Sequence, residues 1–147
     1  ETPVVRMVVL DSLLYVNRTA GLLGKAQREW LEQYLRDAAG GLPVVLLVHH
    51  TLGDNDGGLL DTDRLMSIIK PHRSVKAIIY GHSHRYHYGE QDRVQLINLP
   101  AVGYHFSAEQ PVGWVEAKFT REGAAMTLHA VAGNRADDGK TVTVRWS

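Results

Sequence analysis

The chain has 147 residues, of which 44% are hydrophobic and 22% are charged, with 16 basic residues balanced by 16 acidic ones and no cysteine. This composition is that of one folded domain, and it excludes a disordered chain, a bundle of membrane spans, a disulfide scaffold, a cysteine-ligated zinc site and a thiol nucleophile. The balanced charge also provides no global positive field for a nucleic-acid polymer.

The first part of the chain alternates apolar strands with an amphipathic helix. Val4–Leu10 is a nearly continuous apolar and β-branched run, which predicts a buried strand. Apolar residues recur at helical spacing from 25 to 38, so a helix is predicted there, ended by a pair of glycines. A second fully apolar strand is predicted at Val44–Val48, directly before His49 and His50.

A further helix and strand follow in the same order. Asp61 or Thr62 is expected to cap a short helix that Pro71 ends, and the apolar run 75–80 predicts a third strand, followed by Gly-His-Ser-His at 81–84. Alternating strands and helices are typical of parallel βαβ units, whose strands point the same way. The strand ends are therefore expected at one edge of a sheet, where open α/β folds bind ligands.

The pattern changes after His87 to shorter strands separated by turn signals. We expect these four strands to be antiparallel additions to the sheet: 94–99, 113–119, 125–131 and 141–146. The sequence contains no internal repeat, linker or low-complexity segment, so a single domain is predicted.

Histidine is the residue type that indicates chemistry, because six of the eight histidines lie between positions 49 and 87. His49, His82 and His84 lie just past predicted strand ends, and adjacent strands are only about 4.8 Å apart. A His-x-His pair on an extended backbone points both rings to one face, and Gly81 allows a sharp turn before it. Three imidazoles at this edge indicate a Zn, Fe or Mn site that activates water or polarises an oxyanion.

The residues alone leave two assignments open. His50 is an alternative to His49 as the ligand, because neighbouring residues on an extended chain face opposite ways. His50 and His105 are the candidates for a catalytic role, and packing explains His105 equally well. The remaining histidines are expected to be structural or solvated: His72, His87 and His129.

Together these features resemble the calcineurin-like metallophosphoesterases, near the class that hydrolyses cyclic nucleotides and glycerophosphodiesters. The matching segments are 8–12, 24–31, 48–50, 81–84 and 98–101. The resemblance reaches to about Val131 and implies an α/β fold with a mixed sheet flanked by helices, like one half of a four-layer α-β-β-α sandwich. Residues 1–147 would then be the C-terminal portion of a metallophosphoesterase domain.

The resemblance also implies a ligand set. His49 and His82 resemble ligands of one ion and His84 resembles a ligand of the other, in a dinuclear centre of Fe, Mn or Zn. In that family the two ions clamp the phosphate and activate a hydroxide that attacks phosphorus in line. Ligation requires neutral imidazoles, so metal binding is expected to weaken as the pH falls through the histidine range.

Three family motifs are missing from this chain: an upstream Asp-x-His, a Gly-Asp-x-x-Asp with a bridging carboxylate, and a Gly-Asn-His with the proton donor. The segment 53–57 begins like the second motif but ends in glycine, and 133–135 has arginine in place of the histidine of the third. Both are interpreted as turns or solvated loops. A calcium loop is also excluded, because position 58 is glycine where a third ligand should stand.

The predicted function is metal-dependent hydrolysis of a small phosphate ester, diester or monoester, to which this chain contributes the C-terminal histidine ligands. We expect full activity to need a partner, either the missing N-terminal half of the domain or a second copy, and no membrane. The alternatives are a non-catalytic, metal-binding or self-associating module of the same fold and a mononuclear three-histidine hydrolase. Because the chain begins at Glu1, we expect a processed or excised piece, and the compartment stays open, with the cytoplasm as the working expectation.

Overall fold

The computed structural model describes residues 2–38, 40–53 and 57–147. The elements in chain order are β1 (Arg6–Leu10), α1 (Gly24–Asp37), β2 (Val44–Val48), α2 (Thr62–Ile69), β3 (Val75–Tyr80), β4 (His87–Gln91), β5 (Val94–Asn98), β6 (Pro111–Phe119), β7 (Gly123–Gly133) and β8 (Thr141–Arg145). Among these described residues, neither helix has the length and apolar character that a membrane crossing requires.

The first sheet has five strands in the order β1-β2-β3-β5-β4. The parallel pairing of β1, β2 and β3 confirms the βαβ prediction. The antiparallel prediction for the next strand is wrong, because β5 pairs parallel with β3 and only β4 runs antiparallel. The reason is a hairpin: β4 turns the chain round, so β5 returns in the direction of β3. The sequence analysis missed β4, whose residues are mostly polar.

Strand β1 forms an edge of this sheet, where a buried strand was predicted. Val8 and Leu10 are buried on one face, whereas Met7 is exposed and Val9 is 72% exposed on the other. A strand with a neighbour on one side only has an unpaired row of backbone groups. The apolar run therefore covers the core with alternate residues and leaves the rest at the surface.

The last three strands, β6, β7 and β8, form a separate antiparallel sheet and are not additions to the first one. Alternation explains the packing, since every second residue of β7 is buried from Ala124 to Ala130. Met126 of β7 and Val144 of β8 pack against Val45 and Ile79 of the first sheet. The two sheets thus lie face to face with an apolar layer between them.

The other face of the first sheet is covered by the two helices. Leu31 and Leu35 of α1 and Leu65 and Ile69 of α2 are fully buried in one cluster with residues of β2 and β3. Burying each such side chain contributes about 1.5–3 kcal/mol. The molecule therefore has three layers, helices, mixed sheet and antiparallel sheet, which agrees with the predicted α/β half of a four-layer sandwich.

Asp61 was predicted as a possible cap of the second helix, but its side chain bonds to the first helix instead. It stands before α2, but neither it nor Thr62 caps that helix through its side chain. The Asp61 carboxylate instead accepts hydrogen bonds from the backbone N–H groups of Leu23 (3.0 Å) and Gly24 (3.1 Å) at the start of α1 and from the buried Arg28. A carboxylate at a helix N-terminus is stabilised by the helix dipole, so Asp61 fixes the start of α1 against α2.

Candidate metal centre

The carboxyl ends of the parallel strands meet at one edge of the first sheet, as predicted. Leu10 lies opposite Val48 and Tyr80 lies opposite Asn98 in the strand register. The segments that follow β1, β2 and β3 are therefore neighbours: 11–12, 49–50 and 81–84.

His49 and His82 face each other at this edge. The distance from His49 Nε2 to His82 Nδ1 is 3.1 Å. Two nitrogen ligands at about 2.0–2.1 Å from one ion lie about 2.8–3.4 Å apart in octahedral or tetrahedral geometry. The spacing of this pair consequently fits two ligands of one ion, and without an ion it is that of a hydrogen bond between the rings.

His50 occupies a different environment from its neighbour. It is buried, with its Nδ1 at 2.7 Å from the Ser12 hydroxyl oxygen. Gly21 packs against the same ring, and a Cβ atom at that position would overlap both the His50 imidazole and the Ser12 carbonyl. The structure thus places His49 against His82, and it packs His50 beside them between Ser12, which follows β1, and Gly21.

The Gly-His-Ser-His segment turns at its histidines and not at its glycine. His82 (φ 71°) and His84 (φ 54°) both have left-handed backbones, whereas an extended His-x-His pair was expected. Such a conformation costs free energy in a residue with a Cβ atom, about 1–2 kcal/mol, so surrounding bonds must hold it. Two do: the Thr51 hydroxyl donates to the Gly81 carbonyl (2.8 Å), and the Asn98 amide donates to the Ser83 hydroxyl (2.6 Å).

His84 does not join the other two imidazoles. Its ring stacks on Phe106 with a centroid distance of 4.3 Å and makes an edge contact with Tyr104 at 4.6 Å. Its Nδ1 is buried without a hydrogen-bond partner. In the part of the chain that the structure describes, no three His, Cys, Asp or Glu side chains are grouped closely enough to hold one ion. The expected convergence of His49, His82 and His84 is therefore not seen there, and the His84 ring packs against Phe106 and Tyr104 instead.

The pKa values in this cluster favour neutral imidazoles. Burial lowers the pKa of His82, and the nearby His49 and His84 lower it further. Burial also lowers the pKa of His50, with smaller contributions from His82 and His49. A lowered pKa means that protonation needs a more acidic solution, so both rings are neutral at neutral pH, the form that ligates metals.

A cavity of about 1300 Å³ opens beside the histidines. His82 and His84 line it together with Asn98 of the matching segment 98–101 and with residues that the sequence analysis did not single out: Thr19, Thr51, Tyr104 and Phe106. His105 does not line this cavity and lies against Gly133. The sequence signal for this side of the cavity was the aromatic loop around His105. The sequence analysis named His105 as the candidate, but the residues that line the cavity are its neighbours Tyr104 and Phe106.

The remaining sequence candidates have local roles. The Asp11 carboxylate accepts a hydrogen bond from the backbone N–H of Leu13 (2.9 Å), a contact within the turn that follows β1. In the segment 133–135, Asn134 makes the same kind of contact with the N–H of Ala136 (3.0 Å), so a turn is confirmed there as well. The Asp54, Asn55 and Asp56 positions of the other motif lie outside the described residues.

A family comparison covers the region that carries these histidines. The family sequence model of the calcineurin-like phosphoesterases matches residues 4–86, which is more than half of the chain. The chain belongs to the calcineurin-like phosphoesterase family. This confirms the resemblance on which the ligand assignment was based.

Curated relatives of this phosphoesterase include two bacterial proteins. A probable cyclic nucleotide phosphodiesterase from Synechococcus is 27% identical over 126 residues, covering 81% of this chain and 48% of the relative. The 3′,5′-cyclic adenosine monophosphate phosphodiesterase of Haemophilus influenzae is 28% identical over 134 residues, covering 82% of this chain and 48% of the relative. The chain thus spans about half the length of these relatives.

Among solved structures, a dimetal phosphatase from Danio rerio superposes with a TM-score of 0.67 at 18% identity, covering 84% of this chain and 38% of that one. This similarity shows the fold of the phosphoesterase. Membership of the family implies divalent metal ions, and the spacing of the His49 and His82 nitrogens fits one of them.

Proposed function

We propose that this calcineurin-like phosphoesterase chain hydrolyses small phosphodiesters of the cyclic-nucleotide type, as the C-terminal portion of a domain whose other portion supplies the remaining ligands. The observation that carries the proposal is the 3.1 Å approach of the His49 and His82 ring nitrogens at the carboxyl edge of the sheet. The names of the bacterial relatives support the diester class.

In this proposal His49 and His82 hold one ion and His84 holds a second, which is Fe, Mn or Zn in each case. Bound divalent ions supply Lewis acidity toward the phosphate and a water of lowered pKa. Hydrolysis adds water across one P–O bond and releases a phosphomonoester and an alcohol, or opens the ring of a cyclic diester.

The other residues of the edge keep the ligands in place. Ser12 holds the His50 ring, which packs against His82 at a centroid distance of 4.7 Å. Phe106 and Tyr104 orient the His84 imidazole. Side chains that are packed and hydrogen-bonded in this way preserve ligand geometry before the metal arrives.

The ligand set within this chain is incomplete, which is why the proposal includes a second portion. Among the described residues, no three His, Cys, Asp or Glu side chains are grouped so that they could hold one ion, although the His50 ring packs against both His49 and His82. The edge of β1 is the surface on which we expect the other portion to dock. It is unpaired and exposes Met7 and Val9, and the loop after it exposes further apolar side chains: Leu13, Tyr15 and Val16.

The test is hydrolysis of bis(p-nitrophenyl) phosphate with Mn²⁺ or Zn²⁺, comparing the 147-residue chain with a version extended by the upstream sequence that its gene encodes. We expect weak or no turnover by the chain alone and metal-dependent turnover by the extended protein. His82→Ala should lower the extended protein's turnover by about 100-fold or more, while His129→Ala, on the second sheet, should leave it unchanged. If the extended protein is inactive with both Mn²⁺ and Zn²⁺, the proposal is refuted.

The same β1 edge favours one alternative, a non-catalytic module that associates with a second copy of itself. An exposed strand edge with apolar side chains can pair with an identical edge. Light scattering of the metal-free chain separates the two: a stable dimer that Val9→Lys converts to a monomer supports self-association, and a monomer at all concentrations rejects it.

A further inference from the structure

Two exposed aromatic rings flank the cavity, and the proposed ligand set does not account for their exposure. Tyr104 and Phe106 are 61% and 71% exposed, although rings of this size usually bury most of their surface. Both line the cavity, in the loop 101–110 that joins the first sheet to the second. Exposed aromatic side chains beside a cavity are a common feature of ligand sites.

Hydrogen bonds at both ends hold this loop in place. The N–H of Gly113 donates to the Ala101 carbonyl (2.8 Å) at its start. The Gln110 side chain accepts a hydrogen bond from the backbone N–H of Tyr86 (2.8 Å) at its end. The two rings are therefore presented by a fixed loop, so a ligand would lose little free energy in ordering them.

The geometry of the rings leaves a stacking surface open. Phe106 lies nearly parallel to His84, with an interplanar angle of 16° and a centroid distance of 4.3 Å, so one of its faces is covered. Tyr104 stands almost perpendicular to Phe106, at 85° and 5.5 Å. With 71% of Phe106 exposed, its other face is open to a flat group that Tyr104 would flank.

We propose that Tyr104 and Phe106 form an aromatic platform that stacks against the nucleobase of the phosphate-ester substrate. The inference rests on the proposed function, because the platform adjoins His84, the residue assigned to the second ion near the phosphate. The cavity that the rings line also contains polar residues, which suit the edges of a base and a ribose better than an alkyl chain: Thr51, Ser107 and Glu109.

The test is calorimetric titration of the Mn²⁺-loaded extended protein, which contains both portions of the proposed site, with adenosine 5′-monophosphate and with ribose 5-phosphate, which share phosphate and sugar and differ in the base. We expect the nucleotide to bind about 10-fold more tightly than the sugar phosphate. The double variant Tyr104→Ala/Phe106→Ala should bring the ratio of the two dissociation constants close to 1. Phe106→Leu, which keeps an apolar side chain of similar bulk without a ring, should lower the ratio as well.

Trp114→Ala is the matched control, because Trp114 is also an exposed ring stacked on an imidazole, that of His129 on the second sheet (5.1 Å, 17°). This variant should keep the wild-type ratio. Equal binding of nucleotide and sugar phosphate by the wild type would overturn the platform and leave the phosphate site standing. Failure of both to bind would overturn the platform together with the proposed function.

Discussion

The helix layer beside the first sheet and the second sheet use polar side chains in opposite ways. In the helix layer, Arg28 of α1 and Asp61 before α2 form a buried pair, with side chains that are 11% and 5% exposed. In the loop between β7 and β8 of the second sheet, Lys140 and Asp137 pair in water, with side chains that are 66% and 59% exposed. A buried polar group loses its water and depends on its partner, whereas an exposed one can return to solvent. Equivalent substitutions should therefore have unequal effects in the two regions.

The largest effect on stability is expected at Asp61. Asp61→Ala removes the acceptor of Arg28 and of two N–H groups at the start of α1, and it leaves a buried cation without a partner. We expect the free energy of unfolding to fall by about 3–5 kcal/mol, measured by urea denaturation.

The matched control for that change is Asp137→Ala, which breaks the exposed pair with Lys140. Its effect should stay within about 0.5 kcal/mol. Equal losses of stability from the two variants would contradict the contrast between the regions.

The next largest effect concerns metal affinity. His82→Ala removes one nitrogen of the pair at the edge, so the affinity for Mn²⁺ or Zn²⁺ should fall by about 100-fold in a calorimetric titration. His129→Ala removes an imidazole that stacks on Trp114 of the second sheet, and it should change the affinity less than 2-fold. A similar loss in both variants would mean that the chain binds metal through scattered histidines.

The smallest effect is expected from adding a methyl group beside His50. Gly21→Ala would push a Cβ atom into the His50 ring and the Ser12 carbonyl, so we expect a loss of about 1–3 kcal/mol in thermal or urea unfolding. Gly103→Ala is the control, because nothing lies within 4 Å of a Cβ atom there. An unchanged stability in Gly21→Ala would show that the His50 ring can move away freely.

Periodicity was sufficient to predict the strands and helices of the first 80 residues, because apolar spacing reflects which face is buried. It did not reveal which strand pairs with which: β5 proved parallel, and β6 to β8 formed their own sheet, since turn signals carry no information about partners. Strand β4 escaped because its residues are polar and partly exposed.

The site was predictable in the same partial way. Strand-end position identified His49, His82 and His84 as neighbours of one edge, but the contact that gives His50 a different environment from His49 comes from Ser12, which is 38 residues from His50 in the chain. The left-handed backbones of His82 and His84 could not be foreseen, because that conformation is typical of glycine and asparagine. Tyr104 and Phe106 were missed because an exposed aromatic residue has no periodic signature.

Anomalous diffraction from crystals of the chain soaked in Mn²⁺ or Zn²⁺ would test the central claim most directly. We predict a peak about 2.0–2.1 Å from the facing ring nitrogens of His49 and His82. Peaks confined to other histidines, or a hydrogen-bonded His49–His82 pair that persists at saturating metal, would contradict the account.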